Sequence, residues 1–287
     1  MMRFPGRTAI ITGGARGIGF ETARRLVAAG VITTLWDLDE EALEAARAQL
    51  VRSAPDHEDG VYTCRVDVAD QADLELGVSR AASEMGSIDI LVNNAGTLSG
   101  GPFHEQPAEA QQRLIDVNLS SVVHLTRLVL PVMHEHGRGH VVNIASASST
   151  LGVPDLAVYT ATKWAVWGLT ESLRHEAENA GHREIRFSSV HPNYVTTGLF
   201  EGARIPGLGG LLVPRVGSHD DVAHAVVEKC LRRGRRQVLL PSTVRLAVLL
   251  RALLPYPVFL WATRALGVHR SMEGIQNRVG TGENKSN

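Results

Sequence analysis

Cysteine is scarce in this chain of 287 residues, which has only two, Cys64 and Cys230. Two thiols so far apart in sequence provide neither a disulfide framework nor a Cys-x-x-Cys metal site. The twelve histidines are scattered. His134 and His136 lie two apart on a predicted helix, where their side chains point in different directions, and Gly137 marks the end of that helix. We therefore expect no metal site.

An excess of charge of either sign is also absent, because 29 lysines and arginines balance 30 aspartates and glutamates. This balance gives no reason to expect a nucleic-acid partner. The basic run Arg232–Arg236 is typical of a solvated helix end, with contact to anionic lipid headgroups as the weaker alternative. The first predicted strand begins near Thr8, which leaves no room for a signal peptide. We expect a cytoplasmic protein, either free or peripheral at the cytosolic face of a membrane.

Long uninterrupted hydrophobic runs are missing too. The most apolar stretch, Thr243–Val268, is broken by arginines and prolines, whereas a membrane span needs about 20 consecutive apolar residues. Two interpretations of this stretch stay open. It is either an interfacial hairpin whose arginines reach lipid headgroups, or a helical cap over a substrate pocket or a dimer interface. The polar segment Met272–Asn287 is expected to fray.

What the chain does contain is an unbroken alternation of strand-like and helix-like segments from Thr8 to Leu240. Strand-like runs rich in Val, Ile and Leu suit parallel strands that are covered on both faces. The pattern predicts an α/β fold with one doubly wound parallel sheet of about seven strands and helices on both faces. The expected strands are Thr8–Thr12, Val31–Trp36, Val61–Val66, Ile88–Val92, His140–Ala145, Ile185–His191 and Gln237–Leu240.

The first strand runs directly into a turn that contains Gly13, Gly17 and Gly19, and a predicted amphipathic helix, Ile18–Ala29, follows. A strand, a glycine turn and a helix N-terminus form an anion site, where backbone amides and the helix dipole face a pyrophosphate. A glycine-rich turn alone is often only a turn. Asp37, after the second strand, lies at about the distance at which a carboxylate meets the ribose hydroxyls of a dinucleotide.

A second pattern joins Ser146, Tyr159 and Lys163. Residues four apart lie on one helix face, so Tyr159 and Lys163 are neighbours. A cation beside a phenol stabilises the phenolate, and we therefore expect the pKa of Tyr159 to fall toward neutrality. Such a tyrosine can accept or donate a proton while Ser146 holds the reacting oxygen. Tyr-x-x-x-Lys also recurs by chance in helices, and Ser146 stands in a serine cluster, so the pattern needs a nucleotide site to become specific.

These motifs together resemble the short-chain dehydrogenase/reductase family over residues 6–241. The glycine motif of the family matches Thr12–Gly19, and its Asn-Asn-Ala-Gly element matches Asn93–Gly96. The aspartate that contacts adenine in the family matches Asp67, which Val68 follows. The resemblance implies a Rossmann-type sheet with strand order 3-2-1-4-5-6-7 and an NAD(P)-dependent oxidoreductase that acts on CH–OH groups.

The catalytic residues of the family match Asn118, Ser146, Tyr159 and Lys163. The resemblance implies that Tyr159 is the general acid or base and that Ser146 orients and polarises the substrate oxygen. Lys163 would bind the nicotinamide ribose and lower the pKa of Tyr159. Asn118 would bind a water that links the lysine to solvent. We expect a local break in the helical stretch Pro107–His136 to free backbone groups for that water.

One departure from the family lies after the sixth strand, where Asn193 replaces the glycine of Pro-Gly-x-Val-x-Thr. Asparagine tolerates positive φ better than most residues, so we expect the backbone turn to survive. The resemblance gives Val195 and Thr197 the roles of holding the carboxamide and a phosphate. The expected cofactor contacts are Thr12, Gly13, Arg16, Gly17, Ile18, Gly19, Asp37, Asp67, Val68, Asn94, Ala95, Gly96, Tyr159, Lys163, Pro192, Val195 and Thr197.

The choice between NAD and NADP depends on charge at the adenosine ribose. Asp37 accepts hydrogen bonds from ribose hydroxyls and would repel a 2′-phosphate, which favours NAD. Arg16 argues for NADP, because a basic residue at that position can pair with the phosphate. Since the carboxylate lies where the phosphate would have to sit, we expect NAD.

Substrate contacts are expected from Thr97–Phe103, Ala147–Leu156 and the apolar, glycine-punctuated segment Gly198–Val216. We interpret that last segment as a mobile lid or as a packed loop, and both stay open. The loops carry no cation cluster, although Arg204 and Arg215 are candidate contacts. This favours an uncharged lipophilic alcohol or ketone such as a steroid, a retinoid-like or a long-chain compound. The alternatives are an NADPH-dependent ketoacyl-type or other carbonyl reductase, and a non-catalytic dinucleotide sensor.

The expected organisation is a catalytic domain at residues 1–241, with the lid at about 198–217, followed by the apolar extension and polar tail at 242–287. Trp164 and Trp167 follow the catalytic lysine on a helix that forms a dimer interface in the family, and large aromatics suit that role. We therefore expect a homodimer or homotetramer.

Overall fold

The computed structural model describes Phe4, residues 6–196, Gly198, Gly210 and residues 214–271. Seven parallel strands form one sheet in the order β3-β2-β1-β4-β5-β6-β7, which confirms the predicted fold and strand order. Each strand begins and ends within two residues of its expected bounds. From β1 to β7 the strands are Thr8–Thr12, Ile32–Asp37, Val61–Arg65, Ile90–Asn93, Gly139–Ile144, Ile185–Pro192 and Gln237–Leu240.

Helices connect the strands and continue beyond the last one. In the described residues the helices α1 to α9 are Gly17–Val27, Glu40–Ser53, Gln71–Met85, Ala108–Ile115, Ser121–Glu135, Ala157–Asn179, His219–His224, Val244–Leu253 and Tyr256–Ala265. Side chains cap several N-termini. Asp39 accepts a hydrogen bond from the Ala42 amide at α2, and Asp70 accepts from Ala72 and Asp73 at α3. These bonds satisfy amides that have no partner inside the helix.

The sheet is covered on both faces because alternate side chains of its central strands enter two separate cores. Ile11 of β1 and Leu35 of β2 belong to the core that includes buried residues of α1 and α2. Ile10 and Trp36, their neighbours in sequence, belong to the core that includes buried residues of α3 and α5. Each of these four side chains has no exposed surface. Burial on both faces explains why the strands are nearly continuous runs of apolar residues.

Parallel register brings the carboxyl ends of the strands to one edge of the sheet. Thr12 pairs with Trp36 across β1 and β2, and Asn93 pairs with Asn143 across β4 and β5. The loops that follow β1, β4, β5 and β6 therefore meet at the same edge. In open α/β sheets this edge is where ligands bind.

The long helical stretch before β5 is broken where the sequence predicts it. A π-helical segment, Asp116–Ser120, separates α4 from α5 and contains Asn118. The stretch Ala108–Glu135 is also the one helix of the described residues that is long and apolar enough to cross a membrane. Residues of α5 such as Leu125 and Val129 pack against the sheet, so these side chains belong to the core.

The predicted apolar extension is helical, and α8 and α9 form it. Val244 and Phe259 are buried, whereas Leu253 and Trp261 are each 70% exposed. Thr197 and most of the segment Gly198–Val216 lie outside the described residues, as does the tail Met272–Asn287.

Replacing two helical glycines, Gly19 and Gly168, with alanine should change the stability of the protein in opposite directions. A Cβ at Gly19 would lie 2.0 Å from the Gly13 carbonyl oxygen, whereas a Cβ at Gly168 in α6 would meet nothing within 4 Å. We expect Gly19→Ala to destabilise the protein by at least 2 kcal/mol (about the cost of core overpacking), and Gly168→Ala to stabilise it by roughly 0.5–1 kcal/mol. Urea unfolding of both variants checks this. Equal effects of the two substitutions would contradict the packing described for α1.

Candidate active site

The glycine loop after β1 is fastened to the loop after β4 by side chains on both sides. The Thr12 hydroxyl oxygen accepts hydrogen bonds from the Asn94 and Ala95 amides, each at 3.0 Å. In return the Asn94 side chain donates to the Thr12 and Gly13 carbonyls at 2.9 and 3.1 Å. Gly13 itself has φ of +61°, and a Cβ there would lie 3.0 Å from Ala95 Cα. This close approach requires glycine.

The N-terminus of α1 lacks the side-chain cap that α2 and α3 have. Arg16 occupies the cap position in an extended conformation and makes no capping hydrogen bond, and the first turn contains no acidic residue. The amides at Gly17, Ile18 and Gly19 therefore face a position that suits an anion. This geometry fits the pyrophosphate of a dinucleotide, held by the glycine loop.

The carboxylate of Asp37 stands beside the same loop, at the end of β2. Its oxygens accept hydrogen bonds from Ala15 N at 3.3 Å and Leu38 N at 2.8 Å. Arg16 does not approach Asp37 but forms an ion pair with Asp39. Asp39 was not identified from the sequence as the partner of Arg16. The signal for it is a second carboxylate two residues after Asp37. The pairing leaves Arg16 less available to a second anion.

Asp67, the residue matched to adenine contact, is held by a partner that the sequence did not indicate. One guanidinium nitrogen of Arg113, on α4, lies 3.0 Å from each carboxylate oxygen of Asp67. Val68 is buried beside it. The two residues thus lie at the end of β3, on the side of the glycine loop where a dinucleotide places its adenosine half.

Ser146 and Tyr159 meet at the end of β5. Ser146 follows the strand, and its hydroxyl accepts a hydrogen bond from the Ser148 amide at 3.2 Å, which starts the 3₁₀ turn Ala147–Thr150. The Tyr159 hydroxyl is hydrogen-bonded to the Ser146 side chain. Both residues are buried, with at most 8% of their surface exposed. The two hydroxyls are therefore positioned to share one substrate oxygen.

Lys163 lies one turn further along α6, and its Nζ donates a hydrogen bond to the Ile144 carbonyl at 2.9 Å. Burial lowers the pKa of Lys163 to about 8. A Cβ at Gly96 would lie 3.9 Å from this Nζ, so the ammonium also borders the Asn-Asn-Ala-Gly element.

The expectation that Lys163 lowers the pKa of Tyr159 is wrong for the protein alone. Burial raises the pKa of Tyr159 above its ordinary value, and the hydrogen bond to Ser146 opposes this only in part. The Nζ of Lys163 lies 5.7 Å from the centre of the tyrosine ring and is turned to a carbonyl. Desolvation of the phenolate outweighs the cation at this distance. Tyr159 is therefore a neutral phenol at pH 7.

Asn118 is completely buried in the π-helical segment, and its side chain forms a pair of hydrogen bonds with Thr97. The oxygen accepts from Thr97 N at 2.8 Å and the nitrogen donates to Thr97 O at 2.9 Å. This pairing fixes the backbone directly after Gly96. The expected break in helix geometry at Asn118 is present, and such a break leaves backbone carbonyls without their usual i+4 partner.

The loop after β6 keeps its shape without a glycine. Asn193 has no positive φ, so its tolerance of the left-handed region is not what holds this turn. Instead its amide donates to Leu240 O at 2.7 Å and its side chain donates to Pro214 O at 3.0 Å. Val195 is buried and pairs with Val216 in a short parallel bridge. Pro192 ends β6, and Thr197 lies outside the described residues.

A buried histidine, His191, lies behind the Ser146 loop, and no sequence motif pointed to it. Ser149 Oγ donates to the Ser146 carbonyl at 2.5 Å and contacts His191 Nδ1 at 2.7 Å, while His191 Nε2 contacts Ser189 Oγ at 2.8 Å. Burial lowers the pKa of His191 to about 4. The imidazole is thus neutral, and because Ser149 donates to a carbonyl, Nδ1 carries the proton. This hydrogen-bonded chain supports the backbone of Ser146.

An apolar pocket opens beside Ser146 and Tyr159. Its walls come from three places: the loop after β5, the loop after β6 and the helical extension. Among the described residues, none that lines it is charged. The lining residues are Ser146, Ala147, Ser148, Thr150, Leu151, Val153, Leu156, Tyr159, Asn193, Tyr194, Val244, Ala247, Leu250, Leu254, Phe259, Ala262, Thr263, Leu266 and Val268. The cap interpretation of the extension is therefore supported, since α8 and α9 close one side of the pocket.

One arginine of the extension ties it to the catalytic loop. Arg251 on α8 donates a hydrogen bond to the Thr150 carbonyl. Its guanidinium carbon lies 4.4 Å from the centre of the Trp164 ring, a cation–π contact. Trp164 in turn donates from Nε1 to Ser148 O at 2.6 Å. The 3₁₀ turn after Ser146 is thereby held by both α6 and the extension.

Known proteins with similar sequences support the same assignment. The family model described as short chain dehydrogenase matches residues 7–205. The 2-dehydro-3-deoxy-L-rhamnonate dehydrogenase (NAD(+)) of a Sphingomonas species is 38% identical over 62% of this chain and 69% of its own. The 3alpha-hydroxysteroid dehydrogenase of Mediterraneibacter gnavus is 32% identical over 78% and 89%. Human epidermal retinol dehydrogenase 2 is 29% identical over 94% and 85%.

Solved structures agree in fold. A short-chain dehydrogenase/reductase from Burkholderia phymatum in complex with NAD has a TM-score of 0.78 and 29% identity, over 88% of this chain and 95% of its own. A metagenomic short-chain oxidoreductase in complex with NADP has a TM-score of 0.69 and 29% identity, over 83% and 98%. The chain belongs to the short-chain dehydrogenase family. It is an oxidoreductase that acts on CH–OH groups with a nicotinamide cofactor.

The buried ammonium of Lys163 predicts a pH-dependent difference in stability. Between pH 8 and 10.5 the unfolded chain binds more protons at this lysine than the folded protein, so its cost to folding is relieved as pH rises. We expect Lys163→Met to be more stable than the parent at pH 7. The gain is on the order of 3 kcal/mol, less about 1 kcal/mol for the lost hydrogen bond.

Urea unfolding of both proteins at pH 7, 8, 9 and 10 measures this difference, which should shrink steadily above about pH 8. A difference that does not depend on pH would mean that the lysine is not charged and desolvated in the folded protein.

Proposed function

We propose that this protein transfers a hydride between NAD(H) and a lipophilic secondary alcohol or its ketone, of steroid, retinoid-like or long-chain type. The apolar pocket beside Ser146 and Tyr159 carries this proposal, because its lining, in the part of the chain that the structure describes, contains no charged side chain that could recognise a phosphate or a carboxylate. A sugar acid such as the one in the name of the Sphingomonas relative would leave its carboxylate unpaired there. The steroid and retinol dehydrogenases among the relatives agree with a lipophilic substrate.

Tyr159 is the proposed general acid and base. A bound nicotinamide cofactor supplies or accepts the hydride. In reduction the neutral phenol of Tyr159 donates its proton to the developing alkoxide oxygen. In oxidation Tyr159 first releases its proton along the path behind it, and the phenolate then accepts the proton of the substrate hydroxyl. Ser146 holds that oxygen through a second hydrogen bond, at a position that its contact with the Ser148 amide fixes. Shared hydrogen bonds to the oxygen where charge develops stabilise the transition state more than the ground state.

Lys163 and Asn118 are proposed to supply the proton path behind Tyr159. A pKa of about 8 lets Lys163 gain and lose a proton near neutral pH. The opened backbone around Asn118 offers carbonyl oxygens to a water that connects this ammonium with solvent. Lys163 is also the proposed ligand of the nicotinamide ribose, together with Tyr159.

The proposed cofactor is NAD. Asp37 lies where an adenosine ribose meets the end of β2, and its negative charge opposes a 2′-phosphate. The ion pair with Asp39 supports this choice, because it neutralises the one cation that argued for NADP. Thr12, Asn94, Ala95 and the glycine loop are proposed to hold the pyrophosphate and the nicotinamide half, with Pro192, Val195 and Thr197 at the far end.

Residues 1–241 are proposed as the catalytic domain, with a lid at about 198–217 and the segment 242–287 as a substrate-side extension. The protein is proposed to be a homodimer or homotetramer. An NADPH-dependent ketoacyl-type reductase is the second candidate, favoured by Arg16 alone. A non-catalytic sensor has no need of the Ser146–Tyr159 pair.

Removing the phenol oxygen separates catalysis from binding. We expect Tyr159→Phe to lower kcat by about 10²–10⁴-fold, because the proton has no donor, while NADH still binds and loses only the hydrogen bond from the Tyr159 hydroxyl to the ribose. Tyr194→Phe is the matched control, since Tyr194 lines the same pocket and bonds Ser271 rather than Ser146; it should keep most of its turnover. Steady-state kinetics on a panel of steroid, retinoid, fatty and sugar alcohols, with NADH fluorescence titration, measures both. Full activity of Tyr159→Phe would overturn the proposed role.

The cofactor preference has its own test in the carboxylate of Asp37. We expect kcat/KM to be at least tenfold higher with NAD than with NADP. Asp37→Asn should reduce that ratio by about tenfold, because it removes the negative charge that repels the 2′-phosphate. A tenfold change corresponds to about 1.4 kcal/mol. Asp39→Asn keeps the N-cap of α2 but frees Arg16, so it should lower KM for NADP. A parent enzyme that prefers NADP would contradict the assignment.

A further inference from the structure

The two helices of the extension each have a second apolar side that faces away from the pocket. On α8 the pocket is lined by residues such as Val244, Ala247 and Leu250, whereas the other side carries exposed leucines. Scattered exposed apolar residues are ordinary, but a cluster of them marks an interaction site. We call the cluster the outer face; it consists of Leu246, Leu249, Leu253, Tyr256, Val258, Leu260 and Trp261, all at least 38% exposed.

The charged side chains of the two helices themselves are all positive. The sequence contains no aspartate or glutamate between Glu228 and Glu273. Arg245 and Arg264 are exposed on the two helices. A second copy of this chain would bring like charges together, which disfavours a self-contact through this face. An anionic surface would instead gain from each of these arginines.

A groove connects the outer face with the substrate pocket. It runs between α6, the loop at Leu151 and Gly152, and α9, and its lining includes Tyr256 and Leu260 of the outer face. Leu151, Phe259 and Thr263 line both the groove and the pocket. The groove therefore adjoins the pocket that holds Ser146 and Tyr159, and its lining is mostly apolar but includes Arg251.

The lengths of the helices fix how such a surface can be met. Each helix has ten residues, about 15 Å, which is half the thickness of a bilayer core. Helices of this length with an apolar face and basic flanks lie in the plane of a membrane interface.

We propose that the outer face docks on an anionic lipid bilayer and that the groove passes a lipophilic substrate from the bilayer to the active site. This inference rests on the proposed function, because only a substrate that dissolves in lipid uses such a route. The bilayer supplies the apolar environment for the seven exposed side chains, and its headgroups pair with the arginines beside them.

The test combines vesicle binding with activity. Flotation with vesicles of 30% phosphatidylserine in phosphatidylcholine should recover the parent protein, and pure phosphatidylcholine or 0.5 M salt should recover at least threefold less. Leu253→Glu/Trp261→Glu should lower binding at least tenfold. Leu76→Glu is the control, because Leu76 on α3 is also 70% exposed but lies outside the extension; it should bind as the parent does. Arg245→Gln/Arg264→Gln should weaken binding to anionic vesicles at least threefold.

Activity distinguishes failure of docking from failure of the proposed function. Leu253→Glu/Trp261→Glu should keep its kcat/KM on a short, water-soluble alcohol but lose at least fivefold on a long-chain alcohol dissolved in the vesicles. No vesicle binding by the parent, or equal loss for Leu76→Glu, would overturn the docking while leaving the proposed function intact. A lower mass of the double variant in analytical ultracentrifugation would overturn it in favour of a second copy. Inactivity of the parent on every lipophilic alcohol would overturn the proposed function itself.

Discussion

Burial of Tyr159 and Lys163 at the carboxyl edge of the sheet is the constraint on which the rest of this active site depends. One turn of α6 places the two side chains side by side, and the sheet, the Ser146 loop and the extension exclude water from them. Burial keeps Tyr159 as a neutral phenol and brings the pKa of Lys163 down to about 8. The same desolvation strengthens any hydrogen bond that these groups make to a reacting oxygen.

Around this pair, one end of the sheet edge carries the groups that suit a nucleotide and the other end carries the substrate pocket. The loops after β1, β2 and β3 offer glycine amides and carboxylates, which suit a nucleotide. The loops after β5 and β6, with α8 and α9, offer apolar side chains and the two hydroxyls. On the substrate side, Arg251 of α8 and Trp164 of α6 both donate hydrogen bonds to carbonyls of the turn that follows Ser146. These bonds tie the extension to the loop after β5. The extension is therefore part of the active site rather than an appendage to it.

Local spacing made the strands, the glycine loop and the Tyr159–Lys163 pair predictable, since each depends on residues close in sequence. The partners that complete the site did not follow from spacing. Arg113 reaches Asp67 across 46 residues and His191 reaches Ser149 across 42. The predicted sign of the pKa shift at Tyr159 was wrong for the same reason, because the desolvation that raises this pKa comes from elements far along the chain. The turn at Asn193 is likewise held by hydrogen bonds that only the folded loops provide.

A spectroscopic titration of tyrosinate tests most directly whether burial sets the protonation state of Tyr159. The chain has four tyrosines, so the parent and Tyr159→Phe differ by a single phenol. Burial predicts that, without ligands, both proteins release the same number of phenol protons up to about pH 10.5, slightly above the ordinary tyrosine pKa. One additional tyrosinate in the parent at or below about pH 10 would contradict it.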